Sequence, residues 1–285
     1  MSIVFLNGDF LAAEEAKISP MDRGFLFGEG IYEVLPSYQG KFIGLAPHLK
    51  RMQNGLNELD IANPMNDGQW QQVILDLIAK NEGDNLGVYL QVTRGASEVR
   101  QHGYPQQSQP TVFAFTFTID AVKDATIESA KTYEVSATQD LRWQRCHIKS
   151  TSLLGNVMHY QQAKVQGCQE MLLVNGKGEV TEASSSNVFM VKDDVIYTAP
   201  LDNQILPGVT RAIVLDILRS HGQYKVLETP FTLEQAAAAD ELWLTSSTKE
   251  IAPIVMLNGK PIADGKAGPV WLQAQTLFNQ YKFLY

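Results

Sequence analysis

The sequence predicts an α+β fold in two domains, and three observations carry that prediction. First, 285 residues, of which 45% are hydrophobic, suffice for two cores of ordinary size. Second, short apolar runs are joined by Asn-Gly and Asp-Asp pairs, which mark hairpins rather than evenly spaced β-α-β units. Third, helix-period stripes alternate with those runs along the whole length without a fixed repeat.

Taken in order, IVFLNGDFLAA sets Asn7-Gly8 between apolar runs, a hairpin signal because both turn positions need positive φ. In LAPHLKRMQNGLNELDI, Leu45, Leu49, Met52, Leu56 and Leu59 line one helical face, with Arg51 beside the stripe. GQWQQVILDLIAKNE predicts a second amphipathic helix ending near Gly83, and LGVYLQVTRG predicts a strand. The polar GYPQQSQP then interrupts, and TVFAFTFTID resumes a β alternation. The domain boundary is expected within Ile119 to Thr126, so that 1–120 form an N-terminal α+β domain and 121–285 a C-terminal one carrying Lys149. There, TSLLGNVMHYQQAKVQG reads as a helix with Thr151 as cap and Gly167 as stop. MLLVNGKGEVTEASSSNVFMVKDDVIYTAP reads as several short strands, LPGVTRAIVLDILRSHG as a loop entering a helix, and ELWLTSSTKEIAPIVMLNGKPI as strands with a hairpin at Asn258-Gly259.

Composition narrows the function. A net charge of -8 argues against a broad nucleic-acid footprint but leaves small anionic ligands open. Two cysteines, Cys146 and Cys168, are too few for a disulfide framework and lack metal-site spacing, which predicts a reducing compartment and no metal. The first residues lack a basic start and soon meet Asp9, Glu14 and Glu15, unlike a signal peptide. No apolar run approaches the ~18 residues of a membrane span, so the expected location is cytoplasmic.

Four clusters bear chemistry. In RWQRCHIKS, Lys149 is expected at a strand-to-helix junction. A lysine is ordinarily a solvated charge, but a nucleophilic one must lose its proton, which desolvation and the cations Arg142, Arg145 and His147 promote. Such an amine holds an aldehyde cofactor as a Schiff base. In EVTEASSSNVFMV the serines fit a turn bonding its own backbone as well as they fit a ligand, whereas Glu182 supplies the carboxylate a pyridine nitrogen needs to stay protonated. In LPGVTRAIVLDIL, Pro207-Gly208 lead into a helix whose first N–H groups suit a phosphate, with the Thr210 hydroxyl beside them, although many such loops bind nothing. TSSTKE adds a second hydroxyl cluster after a strand.

Through DRGFLFGEGIYEV, PHLKRM, QVTRG, RWQRCHIKS, EVTEASSSNVF, ILPGVTR and TSSTKEIAP, in that order and over nearly the whole chain, the sequence resembles the fold-type IV pyridoxal phosphate enzymes, and among them the D-amino acid aminotransferases. The resemblance implies two α+β domains with pyridoxal 5'-phosphate in the cleft, usually as a homodimer. It makes Lys149 the cofactor-bearing catalytic lysine and Glu182 the partner of the pyridine nitrogen. It gives the phosphate to Arg51, Val209, Thr210, Ser246 and Ser247, and sets Arg142 at the cofactor's edge. It also gives the substrate α-carboxylate to Tyr32, Arg100 and His102, the last two reaching across from the partner subunit; arginine's planar fork suits that carboxylate. The implied reaction is a ping-pong transamination taking D-alanine and 2-oxoglutarate to pyruvate and D-glutamate.

Two departures bear on the substrate rather than the cofactor. SEV before Arg100 stands where the family pattern has a serine and a proline, one residue more, and GEG replaces GDG. The alternatives are therefore a branched-chain L-amino acid aminotransferase, an (R)-amine transaminase, an aminodeoxychorismate lyase, or a binding protein without turnover. Arg100 and His102 point away from the first, and the presence of Lys149 and Glu182 from the last.

Overall fold

A computed structural model describes residues 2–121 and 124–285; Val122 and Lys123, inside the expected linker, lie outside the described residues. The described residues form two compact units. One runs through Ala121 and adds Ile148–Leu153 and Tyr285; the other takes residues 124–147 and Leu154–Leu284. Lys149, expected in the C-terminal domain, thus groups with the N-terminal unit.

The first unit is a six-stranded antiparallel sheet. Its elements are β1 (Ile3–Leu6), β2 (Asp9–Ala12), α1 (Arg23–Phe27), β3 (Gly30–Tyr38), β4 (Lys41–Phe42), α2 (Leu45–Glu58), α3 (Asp67–Ala79), β5 (Asn85–Thr93) and β6 (Thr111–Thr118), with strand order β2-β1-β6-β5-β3-β4. The expected hairpin forms: Asn7 and Gly8 adopt φ 52° and 109°, and Leu6 pairs with Asp9. The stripe of α2 buries Leu49, Met52 and Leu56 against Ile31, Leu35, Val88 and Leu90 of the sheet, and α3 adds Trp70, Ile74 and Leu77. Burying each such large side chain contributes about 1.5–3 kcal/mol. Asn66 and Gln69 cap α3 reciprocally, which fixes where that helix begins. Along β3 the inward residues are Ile31, Glu33 and Leu35, all within 1% of full burial, so a carboxylate is buried in the middle of an apolar row.

The second unit is built on a nine-stranded mixed sheet of β7 (Tyr133–Gln139), β8 (Glu170–Val174), β9 (Val180–Ala183), β10 (Asn187–Lys192), β11 (Val195–Thr198), β12 (Lys225–Glu228), β13 (Glu241–Ser246), β14 (Glu250–Leu257) and β15 (Lys260–Pro261), with α4 (Leu154–Val165), α5 (Val209–His221), α6 (Leu233–Ala237) and α7 (Pro269–Tyr281). The order is β12-β11-β10-β13-β14-β7-β8-β9, with β15 on β14. Asp193 and Asp194 take φ 49° and 59° in the β10–β11 turn, where short acidic side chains tolerate the left-handed region. Three pairs, β11/β12, β14/β7 and β7/β8, are parallel, so this sheet is less purely hairpin-built than the sequence suggests. The α5 helix buries Ile213, Val214, Ile217 and Leu218, which hold its N-terminus in place, and exposes a stripe of Ala212, Asp216 and Arg219.

Two local expectations need correction. Helix α4 starts at Leu154, and Thr151 does not cap it; the Thr151 hydroxyl donates instead to the Gly28 carbonyl at 3.0 Å. Lys149 is also not at a strand-to-helix junction. The strand before it ends at Gln139, and residues 149–151 run antiparallel along the free edge of β3: Tyr32 N donates to Lys149 O at 3.0 Å and Thr151 N to Gly30 O at 2.9 Å. An unpaired strand edge is a ready acceptor for such a segment.

Candidate active site

In the first unit the β3 edge fixes Lys149 on both sides of its own residue. Its ammonium lies over the Tyr32 ring, 4.3 Å from the centroid, and it has no hydrogen-bonded carboxylate among the described residues. An amine held by an aromatic face rather than an anion is free to change bonding partners. Tyr32 itself stacks on Tyr89, and Tyr89 on Phe115, so the lysine stands at the end of an aromatic row on the face opposite α2 and α3.

Beneath it, Glu33 is fully buried and accepts from Arg51 Nε at 2.8 Å and Nη2 at 2.7 Å, and from His48 Nδ1 at 2.7 Å. Burial alone raises a carboxyl pKa, but here the Arg51 guanidinium and His48 overcome it and hold Glu33 at about 2, while burial pushes His48 down. Glu33 thereby fixes the direction of the Arg51 fork. A depressed carboxyl contributes stability that is full above its ordinary value near 4.5 and is lost as pH falls through about 2. That window is expected to cost about 3 kcal/mol in the wild type, and Glu33→Ala, which takes the buried carboxylate away from the Arg51 guanidinium and from His48, about 3–5 kcal/mol at pH 7. Chemical denaturation of both proteins across that pH range checks it: the wild-type loss should be absent from the variant.

Tyr32, Arg100 and His102 do not meet within one protomer among the described residues. Arg100 and His102 lie on an exposed loop and both pack on Phe27 of α1, with the Arg100 guanidinium carbon 4.9 Å and the His102 ring 5.7 Å from its ring centroid.

In the second unit Glu182 is buried on β9. Its Oε1 accepts from Arg142 Nη1 at 2.5 Å, and its Oε2 from Leu206 N at 3.0 Å and Asn187 Nδ2 at 3.2 Å. Burial pushes its carboxyl up against the opposing pull of Arg142 and the Leu206 N–H, leaving a more basic carboxylate than usual. The remaining donors of Arg142 are engaged as well. Nε and Nη2 donate to Asp140 at 3.0 and 2.8 Å, and Nη2 also to the Gln204 carbonyl at 3.2 Å. The guanidinium is thus placed on Glu182 and Asp140.

Asn187 ties Glu182 to the N-terminus of α5. Its amide also donates to Leu206 O at 2.9 Å, and a Cβ on Gly208 would lie 2.0 Å from its Oδ1, so only glycine lets the chain pass. Gly208 is the N-cap and brings no side-chain cap, which leaves the first N–H groups of α5, at Val209 and Thr210, directed outward from the helix start. Across the sheet Asn187 pairs with Thr245, whose buried Oγ1 has no hydrogen-bond partner among the described residues; the strand then ends at Ser246, and Ser247 begins the turn after it. Ser246 Oγ accepts from Lys249 N at 3.3 Å.

The hydroxyls of the triple serine bond other side chains rather than their own backbone, with Ser184 and Ser186 buried and Ser185 exposed. Ser184 and Ser185 hydroxyls donate to the buried Glu170, and Lys249 Nζ donates to Glu170 at 2.9 Å, Ser185 at 2.9 Å and Ser186 at 2.8 Å. This cluster pins the turn between Glu182 and Asn187. Glu33, Asp140, Asn187 and Glu170 were all missed by reading the sequence. Only Glu33 left a plain signal, as an acid alternating with Ile31 and Leu35 on the inward face of a strand. Among the described residues no group of three or more His, Cys, Asp or Glu is placed to hold a metal ion, and no helix is long and apolar enough to cross a membrane.

The model of the amino-transferase class IV family matches residues 30–257, from the start of β3 to the end of β14. The chain belongs to the class IV aminotransferases. As a class IV aminotransferase it is 36% identical over 282 residues to a D-alanine aminotransferase of Staphylococcus haemolyticus, spanning 99% of this chain and 98% of that one. It is 35% identical to a D-alanine aminotransferase of Listeria monocytogenes, spanning 96% and 94%. Among solved structures, the Escherichia coli branched-chain amino acid aminotransferase superposes with a TM-score of 0.89 at 21% identity, covering 98% of this chain and 94% of that one. The branched-chain amino acid aminotransferase of Thermobaculum terrenum, in its PLP form, gives 0.86 at 18%, covering 99% and 94%. These structures establish the class IV fold.

Proposed function

We propose that this class IV aminotransferase is a D-amino acid aminotransferase that uses pyridoxal 5'-phosphate and converts D-alanine and 2-oxoglutarate to pyruvate and D-glutamate. The observation that carries the reading is full-length identity of 36% to D-alanine aminotransferases. The residues present fit the cofactor. Glu182 offers a buried carboxylate of raised basicity, α5 offers an uncapped N-terminus at a glycine that admits close approach, and Thr245 offers a buried hydroxyl without a partner among the described residues.

Lys149 would carry the cofactor, with Glu182 on its pyridine nitrogen. Val209, Thr210, Ser246, Ser247 and Arg51 would hold its phosphate. When bound, pyridoxal phosphate supplies an aldehyde that takes up the amino group and a protonated pyridine ring that accepts the electron pair of the broken Cα–H bond. Glu182 keeps the proton on the ring nitrogen, and Arg142, braced by Asp140, keeps Glu182 ionised and in place. Lys149 removes the proton from the substrate Cα and returns it as general acid in the reverse half-reaction. Tyr32, Arg100 and His102 hold the α-carboxylate, Arg100 and His102 of one protomer serving the substrate of the other in a homodimer. The protein works in the cytoplasm.

The test is an exchange assay with D-alanine, with and without 2-oxoglutarate. Sustained pyruvate formation that requires 2-oxoglutarate and yields D-glutamate supports the reading. Sustained pyruvate release from aminodeoxychorismate without an oxo acid would replace it with a lyase.

A further inference from the structure

We propose that Arg23 is a positioning residue that sets the substrate-carboxylate clamp by gripping the loop on which Arg100 and His102 stand. The inference rests on reading those two residues as the clamp. Arg23 opens α1, and its side chain is wholly inaccessible to solvent. A buried guanidinium costs several kcal/mol unless its donors are matched, and here they are divided between an anion and the loop. Nε and Nη2 donate to Glu29 at 2.8 and 2.5 Å, Nη1 donates to the Gln101 carbonyl at 2.7 Å, and Nη2 to the His102 carbonyl at 3.2 Å.

The same guanidinium lies 4.6 Å from the Phe27 centroid, the ring that also carries Arg100 and His102. Arg23 therefore touches the clamp in two ways, through the backbone of its loop and through the platform under its side chains. Glu29 is taken up by Arg23 and Arg94, and Arg100 makes no ion pair among the described residues, so its cation remains for a substrate carboxylate.

The grip extends to a second arginine. Arg94 Nε donates to Glu29 at 2.7 Å, its guanidinium stacks 3.6 Å from the Tyr104 centroid, and its Nη atoms donate to the carbonyls of Leu59 and Asp60. The loop is thus held at 101, 102 and 104 although its residues 98–104 are exposed, and its start is held by Ser97 N, which donates to the Met21 carbonyl at 3.3 Å. The GEG and SEV departures fall on this one network: the glutamate reaches both arginines, and the extra residue lies in the same loop, just before Arg100.

The experiment uses the cofactor-loaded enzyme and the variants Arg23→Lys, Phe27→Leu, Arg100→Ala and the double variant Arg23→Lys/Arg100→Ala. Arg23→Lys keeps the charge and loses the fork; Phe27→Leu removes the platform without an uncompensated buried charge, in case the first variant fails to fold. Both are expected to raise KM for D-alanine and for 2-oxoglutarate by the same factor, roughly tenfold, because both substrates present a carboxylate. kcat should hold within about twofold and the visible band of the bound cofactor should not change. Amide hydrogen exchange at Gln101 to Tyr104 should quicken in Arg23→Lys. In the double variant the rise in KM should be smaller than the product of the two single effects, because part of what Arg23 does is done through Arg100. Unchanged KM in both single variants, or a full additional rise in the double variant, would overturn the proposal while a raised KM in Arg100→Ala leaves the clamp standing. Unchanged KM in Arg100→Ala would overturn the clamp reading and this inference with it.

Discussion

Lys149→Ala is expected to lower kcat for D-alanine by roughly 10³- to 10⁴-fold and to abolish the visible band of cofactor-loaded enzyme. The geometry also says what should survive. The lysine contributes to the fold through its backbone, which pairs with Tyr32, whereas its ammonium rests on an aromatic face without an ion-pair partner among the described residues. Truncation therefore strands no buried anion, and the melting temperature of the apoprotein should hardly move. Thr210, Ser246 and Arg51, the residues proposed for the phosphate, are untouched, so the variant should still retain the cofactor by equilibrium dialysis. Loss of turnover with binding retained separates a chemical role from a structural one.

Glu182 should behave in the opposite way, because function and stability meet in one carboxylate. Glu182→Gln keeps an acceptor for the Leu206 N–H but gives up the charge opposite Arg142, and it is expected to reduce kcat by roughly 10²- to 10³-fold. Glu182→Ala removes the acceptor for Arg142, Asn187 and Leu206 together. Breaking a buried pair on one side typically costs about 3–5 kcal/mol, and Asp140, which still binds Arg142, should keep the loss near the lower end. Urea denaturation of the apoproteins and kcat of the loaded enzymes together check both expectations. Equal stability of Gln and Ala variants would mean that the ion pair does not hold this turn.

The contrast between these two residues mirrors what the sequence can and cannot disclose. Local chemistry was legible: Asn7-Gly8 and Asn258-Gly259 gave hairpins because their φ values are positive, and Leu49, Met52 and Leu56 gave the buried face of α2 because helical spacing puts them there. Gly208 leading into an apolar helix marked an uncapped N-terminus for the same local reason. What stayed hidden were partners distant along the chain. That residues 149–151 would join the edge of β3, over a hundred residues earlier, depends on which strand edge is open, and no periodicity near Lys149 records it. Arg142 likewise looked like a cation tuning Lys149, yet its donors go to Asp140 and Glu182. Glu170, Lys249 and the three serines are spread over 80 residues and only fold topology gathers them.

The most direct test of the account is a single half-reaction. D-alanine and L-leucine are added to separate samples of cofactor-loaded enzyme, without an oxo acid, and the visible band is followed together with oxo-acid release. Bleaching by D-alanine with about one equivalent of pyruvate per cofactor, and none by L-leucine, is the predicted result. Bleaching by L-leucine alone would contradict the assignment: Lys149 and Glu182 would keep their roles, but the chain would be a branched-chain L-amino acid aminotransferase.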